Sequence, residues 1–175
     1  MTDRYDVAVV GAGPAGSAAA LAACRAGARV LLLDRADFPR DKPCGDGIAA
    51  DAVDILAGLG VSGVTAGYRS VANLRLIAPG GAQVSRPLPR PAYTIPRRVF
   101  DARLVAAAVA AGAELRNHTV RTMDDDVLRG AAVVIGADGA ARSSGVRWVT
   151  RSTPTATWPS PSGVTRRRPT PSNSS

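Results

Sequence analysis

The fold is decided by residues 6–35, DVAVVGAGPAGSAAALAACRAGARVLLLDR, where an apolar run leads through a glycine turn into a helix and a second apolar run. The β-branched stretch 6–10 predicts a buried strand, and the alanine-rich stretch after the glycines predicts a helix that ends at Gly27. Residues 29–33 predict a second strand, which closes with Asp34. A strand, a helix and a strand in this order form a βαβ unit, so the pattern predicts an α/β fold with a parallel sheet.

The turn GAGPAG places three glycines where a strand passes directly into a helix. Gly11 permits the tight turn, Gly13 lets a pyrophosphate approach the backbone, and Gly16 lets the helix lie close to the sheet. Pro14 suits the first helical turn, where an N–H would have no intrahelical partner. Free N–H groups and the positive end of the helix dipole attract an anion. The turn therefore predicts a phosphate-binding site formed by Gly11, Gly13, Pro14, Ala15 and Gly16.

Asp34 lies about twenty residues after the glycines, where an acid in this fingerprint accepts a hydrogen bond from a ribose 2′-hydroxyl. Because a carboxylate repels a 2′-phosphate, the site is expected to hold FAD or NAD rather than NADP. Arg35 follows directly and is expected to contact the same nucleotide. A glycine-rich turn in an ordinary βαβ unit is the alternative interpretation, but it leaves Asp34 at the end of an apolar strand unexplained. The pattern therefore favours a dinucleotide site.

Composition and charge limit the class of protein. The chain has 175 residues, 46% of them hydrophobic, which is typical of a globular protein with a core. The net charge is +8, but the region from residue 140 onward holds six arginines and no acid, so the sequence indicates no specific nucleic-acid partner. The two cysteines have neither disulfide-framework nor metal-ligand spacing, which favours a cytoplasmic location and no metal site. No apolar run reaches the length of a membrane span.

The remaining apolar patterns alternate between strands and helices. Residues 83–95 are expected to form an edge strand because prolines interrupt them. His118 has no acidic partner at a fixed spacing, so a surface strand residue is favoured over a catalytic base. Asp124 to Asp126 are expected to form a solvated turn rather than a metal site. The other predicted elements are a helix at 48–59 with Ile55 and Leu56 inward, a strand at 71–77, a helix at 98–111, a strand around 114–120 and a buried strand at 131–135 leading into GADG, residues 136–139.

The composition changes abruptly near residue 143. Residues 143–175 are rich in serine, threonine and proline and show no helical or strand period, so we expect them to be disordered. They are either a Ser/Pro-rich regulatory tail or the product of an out-of-frame continuation. The second is favoured because a buried strand that ends in GADG should lead on to more of the fold. We therefore expect residues 1–142 to form an incomplete domain, truncated after the GADG strand.

The chain resembles the N-terminal part of the FAD-dependent geranylgeranyl reductase family, within the flavoproteins similar to para-hydroxybenzoate hydroxylase. The resemblance covers residues 6–141. The first and last of its segments are common to the whole flavoprotein group, whereas DKPCGDG is the more specific mark of the reductases. The matching segments, in order, are DVAVVGAGPAG, VLLLDR, FPRDKPCGDG, RRVFDARL and VVIGADGA.

The resemblance implies a Rossmann-like FAD-binding domain with further site residues beyond the fingerprint. Arg97 would meet the flavin nucleotide, and the main chain of Val120 would lie against the adenine. Asp138 and Gly139 would approach the cofactor in the second motif. The resemblance also places Cys44 and Gly45 beside the isoalloxazine, with Cys44 lining the pocket rather than acting as a catalytic nucleophile.

By this resemblance the activity would be that of an FAD-dependent oxidoreductase. NAD(P)H would recharge the flavin, which would reduce isoprenoid double bonds of a small-molecule or lipid substrate, with peripheral membrane contact. The alternatives are a flavin monooxygenase or halogenase of the same group, and a non-catalytic fragment that binds a nucleotide. In the family, residues beyond GADG complete the flavin site, so the chain as written is expected to be weakly active or inactive.

Overall fold

The computed structural model describes residues 4–139, which form a four-stranded parallel sheet and a three-stranded antiparallel sheet. Helices cover one face of the parallel sheet. The elements are β1 (Tyr5–Val10), α1 (Pro14–Arg25), β2 (Val30–Asp34), β3 (Gly47–Ile48), α2 (Ala50–Gly58), β4 (Ser70–Ile77), β5 (Gln83–Thr94), α3 (Arg97–Ala110), β6 (Glu114–Asn117) and β7 (Ala131–Gly136), with a 3₁₀ turn at Asp126–Leu128.

The parallel sheet has the strand order β6-β2-β1-β7. Val7 of β1 lies opposite Val30 of β2 on one side and Val133 of β7 on the other. The chain builds outward from β1 through β2 to β6, and then returns to place β7 on the far side of β1. In open α/β sheets such a reversal creates a crevice at the carboxyl ends of the strands, where ligands bind. The predicted α/β fold with its βαβ fingerprint is confirmed.

Both faces of the parallel sheet are buried, which explains the continuous apolar runs in its strands. Side chains alternate along a strand, so Val9 and Leu32 point to one face and Leu31 points to the other. On the first face they belong to a buried cluster with Leu104 of α3. On the second face the buried cluster includes Leu128 of the 3₁₀ turn. The segment between β6 and β7 therefore acts as the cover of the second face.

The expectation of an edge strand at residues 83–95 is correct only in part. β5 lies between β4 and the short β3, whose two residues pair with Tyr93 and Thr94. Over the rest of its length, the described residues pair β5 with β4 alone. Prolines lack the N–H that a further strand would need on that side. β5 is thus an internal strand at its carboxyl-terminal residues and an edge strand over the rest of its length.

The helix predicted at residues 48–59 begins later and faces differently. Ile48 pairs with Tyr93 in the antiparallel sheet, so α2 starts at Ala50. Leu56 is 5% exposed as predicted, but Ile55, also predicted inward, is 63% exposed. Arg90 of β5 forms exposed ion pairs with Asp51 and Asp54 of α2. In this short helix Leu56, and not Ile55, thus faces the core.

The hairpin of β4 and β5 is open to solvent. All eight residues of β4 are exposed, among them Leu74 and Leu76 at 49% and 57%. None of the helices in residues 4–139 is both long and apolar enough to cross a membrane. The predictions for residues 143–175 concern a segment outside the described residues.

Candidate nucleotide-binding site

Two of the three fingerprint glycines are required by the packing of the protein itself. Gly11 has a φ of 99°, and a Cβ on it would lie 2.5 Å from the carbonyl oxygen of Ala137. A Cβ on Gly16 would lie 1.7 Å from the carbonyl oxygen of Gly11. Real Cβ atoms do not approach backbone so closely, so these positions allow the turn to close between β1, α1 and β7.

Gly13 differs because the space beyond its Cα is open. A Cβ there would meet only Nη2 of Arg40 and Nη2 of Arg97 within 4 Å, each at 3.7 Å. Its φ of −72° and ψ of −173° suit any residue, so folding does not require glycine. Gly13 is also the N-cap of α1, whose first N–H groups lie beside it. An opening between two guanidiniums and a helix N-terminus is a place for a phosphate.

The two arginines are held by one buried carboxylate, Asp101 of α3. Nε and Nη2 of Arg97 donate to its Oδ1 and Oδ2 at 2.7 and 2.8 Å, and Nη1 of Arg40 lies 3.1 Å from Oδ2. Asp101 is 0% exposed, and its hydrogen bond raises the pKa of Arg97, which therefore stays charged. The i,i+4 spacing in RRVFD was the available signal for Asp101, but sequence analysis missed both this residue and Arg40.

Asp34 ties the glycine turn to the end of β2. Its Oδ2 accepts a hydrogen bond from the N–H of Ala12 at 2.8 Å, and its Oδ1 accepts one from the N–H of Ala36 at 3.0 Å. Nη2 of Arg40 lies 3.9 Å from Oδ2. Each carboxylate oxygen can accept about two hydrogen bonds, so the side chain keeps capacity for a ribose hydroxyl. Asp34 thus holds the glycine turn in place and also lies where a ribose hydroxyl is predicted to bind.

Two polar atoms that line this region are buried without a hydrogen-bond partner among the described residues: Nη1 of Arg40 and Oδ1 of Asp138. The first keeps its ionic contact with Asp101. Buried polar atoms normally find partners, so the unpartnered carboxylate oxygen of Asp138 fits a polar ligand that donates a hydrogen bond. Beyond Asp138, Gly139 has a φ of 91°, and a Cβ on it would lie 3.3 Å from Nζ of Lys42. The second motif and a cationic loop therefore meet at this point.

Most of these groups line one cleft of about 450 Å³, a size usual for small-molecule sites, whereas the predicted residues Pro14, Ala15, Gly16, Arg97 and Gly139 do not line it. It runs along the carboxyl ends of β1, β2 and β7. The predicted cofactor-binding residues that line this cleft are Gly11, Gly13, Asp34, Arg35, Val120 and Asp138. Its lining is Val10, Gly11, Gly13, Leu33, Asp34, Arg35, Ala36, Arg40, Asp41, Lys42, Pro43, His118, Thr119, Val120, Ala137 and Asp138.

The expectation that His118 is a strand residue without an acidic partner is wrong. β6 ends at Asn117, and the backbone N–H of His118 donates to the carbonyl of Asp34 at 2.8 Å. Its Nε2 lies 3.0 and 3.1 Å from the two carboxylate oxygens of Asp125. Partial burial alone would raise the pKa of Asp125, but hydrogen bonds from His118 and from the N–H of Val127 lower it overall. The sequence did not reveal this pair, because two residues that meet across a turn have no characteristic spacing.

Cys44 and Gly45 lie in an open loop. The cysteine is exposed, and a Cβ on Gly45 would meet nothing within 4 Å. The backbone N–H of Asp46 and then the guanidinium of Arg97 lower the pKa of the Cys44 thiol. The predicted place of these two residues beside an isoalloxazine stays a prediction. Among residues 4–139, no three His, Cys, Asp or Glu side chains are grouped so that they could hold a metal ion.

Comparison with known sequences gives a family match and enzyme relatives. The FAD binding domain family matches residues 4–143. A menaquinone reductase of Mycolicibacterium smegmatis is 38% identical over 83% of this chain and 40% of its own length. A digeranylgeranylglycerophospholipid reductase of Methanopyrus kandleri is 41% identical over 70% of this chain and 31% of its own. The chain thus spans less than half the length of these relatives.

Solved structures share the fold. A geranylgeranyl bacteriochlorophyll reductase-like protein of Thermoplasma acidophilum superposes with a TM-score of 0.59 and 25% identity, over 78% of this chain and 40% of that chain. A triple mutant of the flavin-dependent brominase Bmp2 superposes with a TM-score of 0.67 and 25% identity, over 78% of this chain and 39% of that chain. Reductases and halogenases therefore both occur among the structures that this chain is similar to.

Proposed function

Because the chain belongs to the FAD-binding domain family, we propose that it forms the nucleotide-binding part of an FAD-dependent reductase that acts on isoprenoid double bonds. The observation that carries the cofactor is the opening at Gly13, which the protein does not need for its own packing and which two guanidiniums flank. The similarity to reductases named for menaquinone and for a digeranylgeranyl lipid supports the substrate class.

The residues of the cleft fit the ADP half of FAD. Arg40 and Arg97, together with the N–H groups after Gly13, would neutralise the pyrophosphate. Asp34 would accept a hydrogen bond from a ribose hydroxyl. The unpartnered oxygen of Asp138 would accept a hydrogen bond from the flavin side of the cofactor. FAD, when bound, supplies hydride exchange between NAD(P)H and the acceptor double bond, while the protein contributes position and electrostatics. The proposed lipid substrate would bring the protein to a membrane surface.

The cofactor is tested first by titration of the 175-residue chain. We expect FAD and ADP to bind, and adenosine 2′,5′-bisphosphate to bind more weakly than AMP, from which it differs only by a 2′-phosphate that would lie against the carboxylate of Asp34. Isothermal titration calorimetry measures all four ligands. Equal or tighter binding of the 2′-phosphate compound would contradict the role of Asp34.

The reaction is tested with a chimera in which residues 4–139 replace the matching part of the Methanopyrus kandleri reductase. We expect the chimera to retain FAD and to saturate a digeranylgeranyl lipid with a reduced donor, as judged by the mass of the product. The same chimera with Gly13→Val is the matched control and should lose both properties. FAD retention without saturation would leave the cofactor assignment intact and would show that residues 4–139 do not support the reductase reaction.

A halogenase or monooxygenase is the second candidate, because a flavin-dependent brominase shares this fold with a TM-score of 0.67. The two chemistries differ in their use of oxygen. A reductase consumes donor in the absence of oxygen in proportion to saturated product, whereas a halogenase or monooxygenase requires oxygen. Product that appears only in air would support the second candidate. A chain that binds ADP but fails to support either reaction in the chimera would instead be a non-catalytic nucleotide-binding unit.

A further inference from the structure

One wall of the cleft is formed by residues 118–120, and a side-chain pair joins this wall to the turn that follows it. These three residues belong to neither a helix nor a strand, yet all of them line the cleft. At one end, the N–H of His118 donates to the carbonyl of Asp34, the residue that also holds the glycine turn. At the other end, the side chain of Val120 is buried in the cluster beneath the sheet. Between these anchors, the side chain of His118 is held by Asp125.

The topology indicates which part of a nucleotide this wall meets. The phosphates belong at the N-terminus of α1, and the ribose belongs at the acid that ends β2. β6 is the next strand beyond β2, on the side away from β1. A nucleotide that follows this path places its base beyond Asp34, at the carboxyl end of β6. Residues 118–120 lie at that end, directly after Asn117.

The acid that holds His118 is itself firmly placed. Oδ1 of Asp125 also accepts from the N–H of Val127 at 3.3 Å, and this hydrogen bond caps the 3₁₀ turn. Leu128 of that turn is 4% exposed in the same cluster as Val120. The carboxylate is therefore fixed to the cover of the sheet, and through Nε2 of His118 it fixes the wall to that cover. The pair closes the short turn that connects residues 118–120 to the 3₁₀ turn.

We propose that His118 is a positioning residue for the nucleotide base: its bond to Asp125 holds the backbone of residues 119 and 120 where the base rests. The inference rests on the proposed nucleotide-binding function and adds to it the residue that shapes the base-binding end. His118 lies at the base-binding end, away from the pyrophosphate opening at Gly13. Its loss should therefore affect ligands with a base and spare those without one.

The test compares ADP with inorganic pyrophosphate on the full 175-residue chain. His118→Phe keeps a ring of similar size and removes the hydrogen bond at a site whose side chain is 40% exposed, so the fold should persist. We expect its Kd for ADP to rise about tenfold, the scale of one hydrogen bond to a charged group, and its Kd for pyrophosphate to stay within about twofold. His118→Gln keeps an N–H donor and should restore most of the ADP affinity.

The matched control is Asp126→Asn in the same turn. Asp126 forms a solvent-exposed ion pair with Arg129 at 3.1 Å and has no contact with His118, so its loss should leave ADP binding unchanged. Amide hydrogen exchange provides a second readout, and the amide of Val120 should exchange faster in His118→Phe than in wild type.

Three outcomes would overturn the inference. They are an unchanged ADP affinity in His118→Phe, an equal loss for ADP and pyrophosphate, and a failure of His118→Gln to recover. A wild-type chain that binds no ADP would instead reject the proposed function. The exchange of Val120 would then still report whether His118 holds the wall.

Discussion

Replacing Gly13 by alanine separates ligand binding from folding. The added Cβ would lie 3.7 Å from Nη2 of Arg40 and of Arg97 and would meet no other neighbouring group within 4 Å. Its φ of −72° is open to alanine. The free energy of unfolding should therefore change by less than about 1 kcal/mol. The methyl group would nevertheless occupy the space that we assign to the pyrophosphate.

The expected loss of affinity follows from the contacts at that opening. A hydrogen bond to a charged group contributes about 1.5–3 kcal/mol, so displacing a phosphate from two of them costs about 3–6 kcal/mol. This corresponds to a Kd for ADP or FAD that is about 10² to 10⁴ times higher. Gly16→Ala is the contrasting variant, because its Cβ would lie 1.7 Å from the carbonyl oxygen of Gly11 and should disrupt the turn.

The assay pairs calorimetric titration of ADP and FAD with urea unfolding of the same samples. We expect Gly13→Ala to unfold like wild type and to lose binding, and Gly16→Ala to lose both. If Gly13→Ala binds ADP within about threefold of wild type, the opening is not the phosphate site. If it unfolds as early as Gly16→Ala, the opening is not free space.

Three further changes test other contacts. Asp101→Asn removes a fully buried charge from between two arginines, so it should lower the unfolding free energy by about 3–5 kcal/mol and weaken ADP binding. Asp51→Asn is the control, because the side chain of Asp51 is 84% exposed and its loss should cause no measurable change in the same urea titration. The folded pKa of Asp125 lies below its ordinary 3.8, so its contribution to stability is present above that pH and is lost as the pH falls through the lower value. Asp125→Asn should accordingly reduce the acid-side loss of stability in pH-dependent melting, and an unchanged acid limb would refute this. Because β4 exposes Leu74, Leu76 and Ile77, we expect the chain to self-associate in sedimentation experiments, and Leu76→Ser should lessen this association while the unfolding free energy shifts by less than about 0.5 kcal/mol.

Much of the fold could be predicted because its signals are local. The glycine turn, the alanine-rich helix and the two apolar strands are each encoded by adjacent residues, and all four elements formed where the pattern indicated. Phe100 and Leu104, four residues apart on α3, are both buried, as apolar residues at helical spacing should be. The prediction failed where a neighbour outweighed the pattern: Ile48 left the predicted helix to pair with Tyr93, and Ile55 turned outward.

The sequence by itself determined the class of fold, the glycine turn and the acid after β2, since backbone preference and side-chain period depend on residues close along the chain. The fingerprint already predicted different roles for its three glycines, but only the tertiary structure showed that packing requires Gly11 and Gly16 and does not require Gly13, because this depends on the distances to Ala137, to the Gly11 carbonyl and to two arginines. The shared carboxylate of Asp101 and the bond between His118 and Asp125 were likewise decided by packing. Arg40 and Asp101 are brought together by the helix and strands between them, and His118 meets Asp125 across a turn, so spacing along the chain reveals neither contact.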